Sequence, residues 1–344
     1  MPSQPITPVS ALSSPMRSTI EQILPFLRQK RKFVLTTHVN PDGDGLGCEI
    51  ALAEWLAKTG KTVHIVNYSA TPSMYRFLDQ NLQIRKYEET RDARALAEAD
   101  VIVVLDMNHP ERLRAMQHAV IASPATRICI DHHPDPADFA HHYVIDEEAT
   151  STGEIVYRML RELEGERLPP LSAAALYCAI MTDTGSFRYP RVDPEVHRIV
   201  AHLIECGADP VVIYAHVYEQ WTVGRTRLLG ETLASLKTEH NGKLAHITVT
   251  QELLGRTGTS EVDTDNFTTY PMSVAGVVIG ILFLELKDGV KMSLRSKGNI
   301  AINELAQIFG GNGHKNAAGA RLENVSIDTL REQVVRSASA FLLK

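Results

Sequence analysis

The sequence predicts a mixed α/β protein whose larger domain is built on a doubly wound parallel sheet. Short, continuously apolar segments alternate with segments of helical spacing through most of the chain. Strands without polar alternation are typical of a parallel sheet that helices cover on both faces. The repeated strand–helix–strand order favours the same architecture. A length of 344 residues is enough for two domains.

The first domain is predicted at 19–206, after a disordered tail at 1–18 in which four prolines stand among Ser and Thr. Its predicted strands are 33–37, 62–66, 101–105 and 127–130. Its clearest predicted helices are 46–58 and 173–181, and Gly60 ends the first of them because glycine suits a left-handed C-cap.

A helical linker is predicted at 207–240, since Leu229, Leu233 and Leu236 recur at helical spacing. A second, smaller α/β domain is predicted at 241–344. Its strands are expected at 244–250, 276–286 and 290–294, and its helices at 303–309 and 327–343.

Charge and hydropathy exclude several classes of protein. The net charge of −6 argues against a protein that coats long nucleic acid, which needs a broad positive surface. The uncharged stretch at 268–284 is broken by Pro271 and two glycines, so neither a transmembrane helix nor a membrane partner is expected. The first residues do not combine a basic region with an apolar stretch, so we expect no secretory signal. The four cysteines form no CxxC pair, which predicts buried free thiols in a reducing cytoplasm.

Acidic and imidazole side chains stand directly after the apolar segments. The segments are His38-Val-Asn-Pro-Asp42-Gly-Asp44-Gly, Asp106, Asp131-His132-His133 and, at the end of the helix 173–181, Thr182-Asp183-Thr-Gly. Because the carboxyl ends of parallel strands open onto one crevice, we expect these side chains to meet there.

Four carboxylates, those of Asp42, Asp44, Asp106 and Asp183, would then lie within a few ångströms of one another. At an effective dielectric constant near 20, each close pair costs on the order of 3–4 kcal/mol. Two divalent cations would cancel the four charges, and oxygen and imidazole ligands without thiolate favour Mn²⁺, Mg²⁺ or Co²⁺. Two such ions can activate water and bind a phosphoryl oxygen, so the sequence predicts two-metal phosphoester hydrolysis.

The first motif also suggests a local geometry. His38, Asp42 and Asp44 are an even number of residues apart, so an extended segment would direct them to one side. The glycines at 43, 45 and 47 are expected to allow a sharp turn and a close approach of substrate. A helix that begins near Leu46 would direct its N-terminus at the crevice, which favours phosphate.

Each motif alone has a simpler explanation. Asp-Gly-Asp-Gly is most often a turn, and as an EF-hand loop it would need Glu where Ala53 stands. Asp106 could cap a helix, and Asp131-His132-His133 could be a solvated loop. The neighbouring His141-His142 are interpreted as surface residues. The combination of all four motifs, in this chain order, favours the metal site.

These motifs resemble those of the DHH phosphoesterases, and specifically the two-domain nano-RNase type that also dephosphorylates 3′-phosphoadenosine 5′-phosphate. The segment Phe309-Gly-Gly-Asn-Gly-His314-Lys-Asn-Ala-Ala-Gly319 is similar to the glycine-rich signature of the DHH-associated C-terminal domain, although Asn312 stands where Gly is common. The resemblance covers nearly the whole chain after the tail.

The resemblance implies two metal ions per site, usually Mn²⁺. His38 and Asp42 would bind one ion, Asp44, His132 and Asp183 would bind the other, and Asp106 would bridge both. His133 would face the scissile phosphate, and Asp131 would orient a histidine.

The resemblance also implies that the second domain holds the rest of the substrate. Gly310, Gly311 and Gly313 would let backbone amides approach a phosphate, His314 would contact the substrate, and Arg295 would pair with a phosphate. Taken alone, the glycines are equally typical of a left-handed turn and Arg295 of a surface arginine. Arg188 is a weaker phosphate-binding candidate.

We therefore expect an enzyme that uses hydroxide activated by two metal ions to cut short oligoribonucleotides to mononucleotides, 3′-phosphoadenosine 5′-phosphate to AMP, or both. A cyclic or linear dinucleotide phosphodiesterase stays open as an alternative. The charge argues against a RecJ-like exonuclease and against binding of long duplex nucleic acid, and the glycine-rich motif against a family II pyrophosphatase. A non-catalytic nucleotide sensor would tolerate loss of the ligand residues, all of which are present. The resemblance also implies a homodimer.

Overall fold

The computed structural model describes residues 14–79, 84–165 and 167–342. These residues divide into two compact units between Gln220 and Trp221. The first unit contains a six-stranded sheet whose neighbouring strands pair in parallel. Its strands are β1 (Lys32–Thr36), β2 (Thr62–Asn67), β3 (Arg85–Lys86), β4 (Val101–Leu105), β5 (Thr126–Asp131) and β6 (His142–Ile145).

In the strand order β3-β2-β1-β4-β5-β6, the chain adds β2 and β3 on one side of β1 and β4, β5 and β6 on the other. The order in which strands are added therefore reverses between β1 and β4, although the strands themselves stay parallel. Ligands of doubly wound sheets bind outside the carboxyl ends of the strands, at such a reversal. Phe33 pairs with Val101, and Val101 pairs with Thr126, so β1, β4 and β5 run side by side in register. The predicted motifs follow these three strands at one edge of the sheet.

Helices cover both faces of this sheet. They are α1 (Ser14–Gln29), α2 (Gly43–Lys58), α3 (Glu89–Glu98), α4 (Gln117–Ala122), α5 (Thr152–Glu164), α6 (Pro170–Asp183), α7 (Pro194–Glu205) and α8 (Pro210–Tyr218), with 3-10 turns at Ser73–Leu78 and Pro110–Met116. Leu35 and Val103 pack into the core formed with α2, α5 and α6. Val34 and Ile102 pack into a second core with residues of α3 and α4. The predicted doubly wound fold is confirmed.

The glycines of α2 bring this helix unusually close to its neighbours. A Cβ atom at Gly43 would lie 2.5 Å from Oγ1 of Thr182, and one at Gly47 would lie 2.3 Å from the carbonyl oxygen of Ala175. A Cβ atom at Gly45 would lie 2.3 Å from Oγ1 of Thr37. The predicted turn is wrong, because the three glycines are helical and serve close packing.

The extended geometry predicted for the first motif is also wrong. Asp42 is the N-cap of α2 and its carboxylate accepts the backbone N–H groups of Asp44 and Gly45, so the helix begins before Leu46. Asp44 therefore lies in the first helical turn and is buried. A side-chain cap at Asp42 satisfies N–H groups that would otherwise lack partners, which favours the earlier start.

The second unit has the mixed α/β character that was predicted. Its elements are α9 (Val223–Ala234), β7 (Lys237–Glu239), β8 (Leu244–Val249), α10 (Gln251–Thr257), a 3-10 turn (Glu261–Thr264), α11 (Thr269–Met272), β9 (Ile279–Glu285), β10 (Gly289–Ser296), α12 (Ile302–Ile308), β11 (Asn312–His314), β12 (Ala317–Glu323) and α13 (Ile327–Leu342). The sheet order is β11-β12-β10-β9-β8-β7, with β8 and β9 parallel and the other pairs antiparallel. Phe283 packs with the core of α12 and α13, whereas Leu282 faces a separate core with Leu228 of α9.

Several boundaries differ from the predictions. Residues 1–13 of the predicted tail lie outside the described residues, whereas 14–18 begin α1, since Pro15 is compatible with a first helical turn. The predicted helical linker ends in β7, which returns as β8 through a left-handed turn at His240-Asn241-Gly242. Asn-Gly is a strong hairpin signal that the helical interpretation overlooked.

The glycine-rich segment forms the hairpin of β11 and β12 rather than an open loop. A Cβ atom at Gly311 would lie 2.2 Å from the carbonyl oxygen of Gly319, and one at Gly313 would lie 2.5 Å from Cα of Ala318. Gly313 also has a φ of +142°. Close backbone contact within the hairpin therefore explains these two glycines.

Three smaller predictions can be compared with the structure. All four cysteines are buried and free, as expected. His141 is exposed, as predicted, but His142 belongs to β6 and its ring lies 4.7 Å from that of Phe26. Among the described helices, none is both long enough and apolar enough to cross a bilayer.

The contact at Gly47 predicts an unusual effect of alanine. Gly47→Ala should destabilise the protein by about 1–3 kcal/mol, because the added methyl group meets the backbone of α6. Gly230→Ala lies in the interior of α9, where no atom of the described part of the chain is within 4 Å of the new methyl group, and should instead stabilise the protein by about 0.5–1 kcal/mol. Urea denaturation of both variants tests this pair, and a Gly47→Ala variant as stable as wild type would contradict it.

Candidate active site

Acidic and imidazole side chains meet beyond the carboxyl ends of β1, β4 and β5. They form three overlapping groups: His38, Asp42 and Asp106; Asp44, His132 and Asp183; and Asp106, Asp131, His132 and His133. Within each group, one ligand atom from every residue lies within 4.8 Å of the others. We call these eight residues the ligand cluster. The first two groups contain the same residues that the family resemblance assigns to two separate ions.

The first group is centred on the imidazole of His38. Its Nε2 lies 3.3 Å from Oδ2 of Asp106 and 3.7 Å from Oδ2 of Asp42. Its Nδ1 lies 2.8 Å from the carbonyl oxygen of Val39, a contact that orients the ring. A carbonyl oxygen that accepts from the far ring nitrogen is typical of metal-binding histidines, because it fixes the tautomer that presents the other nitrogen to the ion.

The second group is centred on His132. Its Nε2 lies 3.4 Å from Oδ2 of Asp183, 3.8 Å from Oδ1 of Asp106 and 4.0 Å from Oδ2 of Asp44. Its Nδ1 is 3.4 Å from the carbonyl oxygen of Ala149. Nε2 is buried and has no hydrogen-bond partner among the residues that the structure describes, although three carboxylates surround it.

Asp106 belongs to the first group and also contacts His132 of the second, because its two oxygens face in different directions. Oδ2 is directed at His38 and Oδ1 at His132. The residue is buried and has a φ of +58°, a left-handed conformation that Asp tolerates better than most residues. Local strain of this kind is common at functional sites. A carboxylate with this placement can bridge two ions.

The geometry fits divalent cations. Two atoms that are each about 2.1 Å from one tetrahedrally or octahedrally coordinated ion lie about 3.0–3.4 Å apart. The shortest separations in the two groups, 3.3 and 3.4 Å, fall in or close to that range. A buried imidazole nitrogen that none of the described residues hydrogen-bonds, among carboxylates, is the donor that such an ion requires.

Charge within the ligand cluster shows the same need for cations. Burial and then repulsion from Asp106 raise the pKa of Asp183 to about 8. Burial, followed by repulsion from Asp106 and Asp183, also raises the pKa of Asp44. Burial opposes the charged form of His38, but Asp106 and Asp42 outweigh it and raise the pKa of His38 to about 10. Without metal ions, the cluster therefore takes up protons to reduce its negative charge.

Asp131 and His133 form a hydrogen-bonded pair beside the first two groups. Oδ1 of Asp131 lies 2.8 Å from Nδ1 of His133 and also accepts the backbone N–H of His132. Burial lowers the pKa of His133, but the contacts with Asp131 outweigh it and leave this pKa raised. Nδ2 of Asn108 donates to the carbonyl oxygens of His133 and Pro134, which holds the segment in place.

The segment 149–154 contacts ligand residues and was missed by the sequence analysis. The backbone N–H groups of Thr152 and Gly153 donate to the two oxygens of Asp44, at 2.8 and 2.7 Å. The Thr152 hydroxyl donates to Oδ1 of Asp106 at 3.1 Å. Thr152 is therefore connected to one carboxylate of the second group, that of Asp44, and to the carboxylate of Asp106, which lies between the two groups.

A local signal for this segment exists in the sequence. Ser151-Thr-Gly-Glu154 has the S-x-x-E spacing of a capping box, and Ser151 is the N-cap of α5. That pattern predicts the start of a helix. It does not predict contact with Asp44, which is 108 residues away along the chain.

The predicted substrate-binding residues lie in both units. Arg188 follows α6, and its Nε donates to the carbonyl oxygen of Gly185 at 2.7 Å. In the second unit, Ala317 pairs with Arg295 on one side and with His314 on the other. Residues directly opposite in antiparallel strands share a face of the sheet, so Arg295 and His314 lie in one row on the same face.

Two family descriptions match the chain. The DHH family, N-terminal domain, matches residues 32–180, and the DHHA1 domain matches residues 241–342. The first match covers the ligand residues from His38 to His133. The second covers the strands that carry Arg295 and His314.

Known proteins match over almost the full chain. A protein of Thermus thermophilus named bifunctional oligoribonuclease and PAP phosphatase NrnA is 31% identical over 306 residues, which cover 88% of both chains. A protein of the same name from Bacillus subtilis is 25% identical over 84% of this chain and 88% of its own. The crystal structure of an exopolyphosphatase-related protein from Bacteroides fragilis is 30% identical and superposes with a TM-score of 0.92, covering 98% of this chain and 100% of that one.

The contacts of Thr152 predict a role in metal affinity. Thr152→Val keeps the backbone N–H and the shape of the side chain but loses the hydrogen bond to Asp106. It should weaken Mn²⁺ binding about 10-fold or more, as loss of outer hydrogen bonds does at other metal sites. Calorimetric titration with Mn²⁺ measures this, with Thr152→Ser as the control that keeps the hydroxyl. Equal affinity of the valine variant and wild type would contradict the prediction.

The raised pKa of Asp183 predicts how metal ions and pH act together on stability. A folded-state pKa of about 8, above the unfolded value, gives stability that is present in acid and lost as the pH rises toward 8. Bound Mn²⁺ replaces the protons, so the increase in melting temperature that Mn²⁺ causes should be larger at about pH 8 than at about pH 5. Thermal denaturation with Mn²⁺ or with chelator measures it. An increase that is the same at both pH values would contradict this prediction.

Proposed function

Because the chain belongs to the DHH family, we propose that its hydrolytic activity is directed at short oligoribonucleotides, which it cuts to mononucleotides, and at 3′-phosphoadenosine 5′-phosphate, which it converts to AMP. The observation that carries this proposal is the ligand cluster, in which Asp106 joins two groups of three ligand residues. The relatives from Thermus thermophilus and Bacillus subtilis, whose names state these two activities, support the choice of substrates.

We assign one divalent cation to His38, Asp42 and Asp106 and a second to Asp44, Asp106, His132 and Asp183. Oxygen and imidazole donors without thiolate support Mn²⁺, with Mg²⁺ and Co²⁺ as alternatives. Bound there, two such ions would lower the pKa of water and stabilise negative charge on a phosphoryl group.

The chain's own residues complete the reaction. Asp131 holds Nδ1 of His133, and we assign the other ring nitrogen to the leaving oxygen of the scissile phosphate, to which it donates a proton. Asp131 is therefore a positioning residue. Fixed orientation of the imidazole matters because proton transfer requires hydrogen-bonding distance to the leaving oxygen.

We assign a second phosphate of the substrate to Arg295 and His314, since both lie in one row of the second sheet. Arginine binds phosphate through two parallel N–H groups, which fixes its orientation as well as its charge. We place Gly311 and Gly313 beside this phosphate. We also propose that Arg188, in the first unit, contacts the substrate.

Linear dinucleotides are included in this proposal as the shortest oligonucleotides, and a cyclic dinucleotide phosphodiesterase stays the alternative. Mn²⁺ as the resident ion, a homodimer and a cytoplasmic location stay predictions. The four free, buried cysteines support a reducing compartment.

A substrate panel with Mn²⁺ tests the proposal. It contains a dinucleotide, a five-nucleotide RNA, a long single strand, 3′-phosphoadenosine 5′-phosphate and pyrophosphate. We expect wild type to hydrolyse the dinucleotide, the short RNA and the bisphosphate, and Asp106→Asn to be inactive on all of them because both ion sites lose a charge. Asp288→Asn, at an exposed carboxylate of the second unit, should leave all rates unchanged.

Three results would reject the proposal. Hydrolysis of pyrophosphate alone would indicate a pyrophosphatase, and fastest cleavage of the long strand would indicate a processive exonuclease. Stabilisation by Mn²⁺ without turnover of any substrate would indicate a nucleotide sensor.

A further inference from the structure

The turn that follows Asp183 is strained. Gly185, Ser186 and Phe187 have consecutive φ values of +58°, +60° and +64°. Left-handed backbone is unfavourable for residues other than glycine, and two such residues in succession are uncommon. Such strain persists only where the surroundings enforce it, and it clusters at ligand-binding sites.

Packing and hydrogen bonds enforce the turn. The ring of Phe187 lies 5.8 Å from that of Tyr177 and 6.0 Å from that of His197. The backbone N–H of Ser186 donates to the carbonyl oxygen of Met181 at 2.8 Å. The Thr184 hydroxyl accepts the N–H of Phe187 at 3.1 Å. The turn is therefore fixed to the end of α6, the helix that carries Asp183.

The result of this turn is the position of Tyr189. Its ring lies against Gly185, where a Cβ atom would be 2.6 Å from two ring carbons. Its backbone N–H donates to the carbonyl oxygen of Thr184. The residue is nevertheless 54% exposed. A large aromatic side chain that is held in place without being buried contributes little to the core, which points to a role at the surface.

Two more tyrosines of α8 lie beside the turn. The rings of Tyr214 and Tyr218 are 4.8 Å apart, and Tyr214 is 44% exposed. Burial raises the pKa of Tyr218, a hydrogen bond with Ser186 opposes this, and the nearby hydroxyls of Tyr214 and Tyr189 add to the increase. Tyr189 thus stands at an exposed edge of the turn, near the hydroxyl of Tyr218.

This edge is next to the ligand cluster. Gly185, against which the ring lies, is two residues from Asp183, so their Cα atoms are at most about 7.6 Å apart. Oδ2 of Asp183 is 3.4 Å from Nε2 of His132.

We propose that Tyr189 is a stacking surface for the nucleobase next to the scissile phosphate, and that it gives the enzyme its preference for nucleotides over phosphate esters without a base. This inference rests on the proposed function. Aromatic side chains bind bases of every sequence, because each base presents a π-face, and a tyrosine already fixed against the backbone loses little freedom on binding. Tyr189 is thus a specificity-determining residue rather than a catalytic one.

Steady-state kinetics with Mn²⁺ on a matched pair of substrates test the role of Tyr189. The pair is a ribodinucleotide and the same molecule with hydrogen in place of both bases. Tyr189→Ala should raise the KM for the dinucleotide about 10-fold, the order expected for one stacked base, and leave KM and kcat for the base-free substrate at wild-type values. Tyr189→Phe and Tyr189→Trp keep an aromatic ring and should retain a wild-type or lower KM for the dinucleotide.

Other outcomes would overturn the stacking role. An unchanged KM of Tyr189→Ala for the dinucleotide would show that the base does not contact the ring. An equal decrease in kcat/KM on both substrates would show that Tyr189 only supports the turn. A Tyr189→Phe variant whose KM for the dinucleotide rises as much as that of Tyr189→Ala would show the same. Failure of the proposed function itself would be seen separately, as wild type that hydrolyses neither member of the pair.

Discussion

Repulsion among buried carboxylates is the main physical constraint on the functional edge of the first unit. The topology of the parallel sheet brings Asp106 to the same edge as Asp44 and Asp183, and burial makes their combined charge unfavourable. His38 and His132 supply nitrogen donors, but two imidazoles cannot neutralise the four carboxylates of Asp42, Asp44, Asp106 and Asp183. Bound divalent cations would neutralise this charge and at the same time provide Lewis acids for phosphate chemistry. Stability of this edge and capacity for the reaction thus have one physical origin.

Helix N-termini reduce the remaining cost of the carboxylates. Asp42 accepts N–H groups at the start of α2, and Asp44 accepts those of Thr152 and Gly153 at the start of α5. The positive end of a helix dipole stabilises a carboxylate in this position. Backbone N–H groups therefore hold the carboxylates of Asp42 and Asp44 in place. No additional side chain has to be ordered for these contacts. Precision in the ligand cluster comes largely from the main chain.

Much of this arrangement could be predicted from the sequence, because apolar strands and the polar residues that follow them are local features. The order of His38, Asp106 and Asp131 after three strands was sufficient to place them at one edge. The role of Gly47 could not be predicted in this way, because it depends on the close approach of the Ala175 backbone, far away along the chain. The contact of Thr152 with Asp44 depends on the same long-range packing. The exposure of Tyr189 depends on a strained turn that is held by the end of α6 and by the packing of Phe187 against Tyr177 and His197. The local residue pattern does not reveal this packing.

The glycine contacts of α2 have a consequence for how this protein can change. Many enzymes gain robustness by mutations that sacrifice some catalytic power, because strain at the active centre is separable from the scaffold. Here the helix that approaches α6 through Gly43 and Gly47 is also the helix whose first turn carries Asp44. A bulkier residue at either glycine would displace scaffold and ligand together. Substitutions at these two glycines should therefore change the stability of the protein and its affinity for metal ions together.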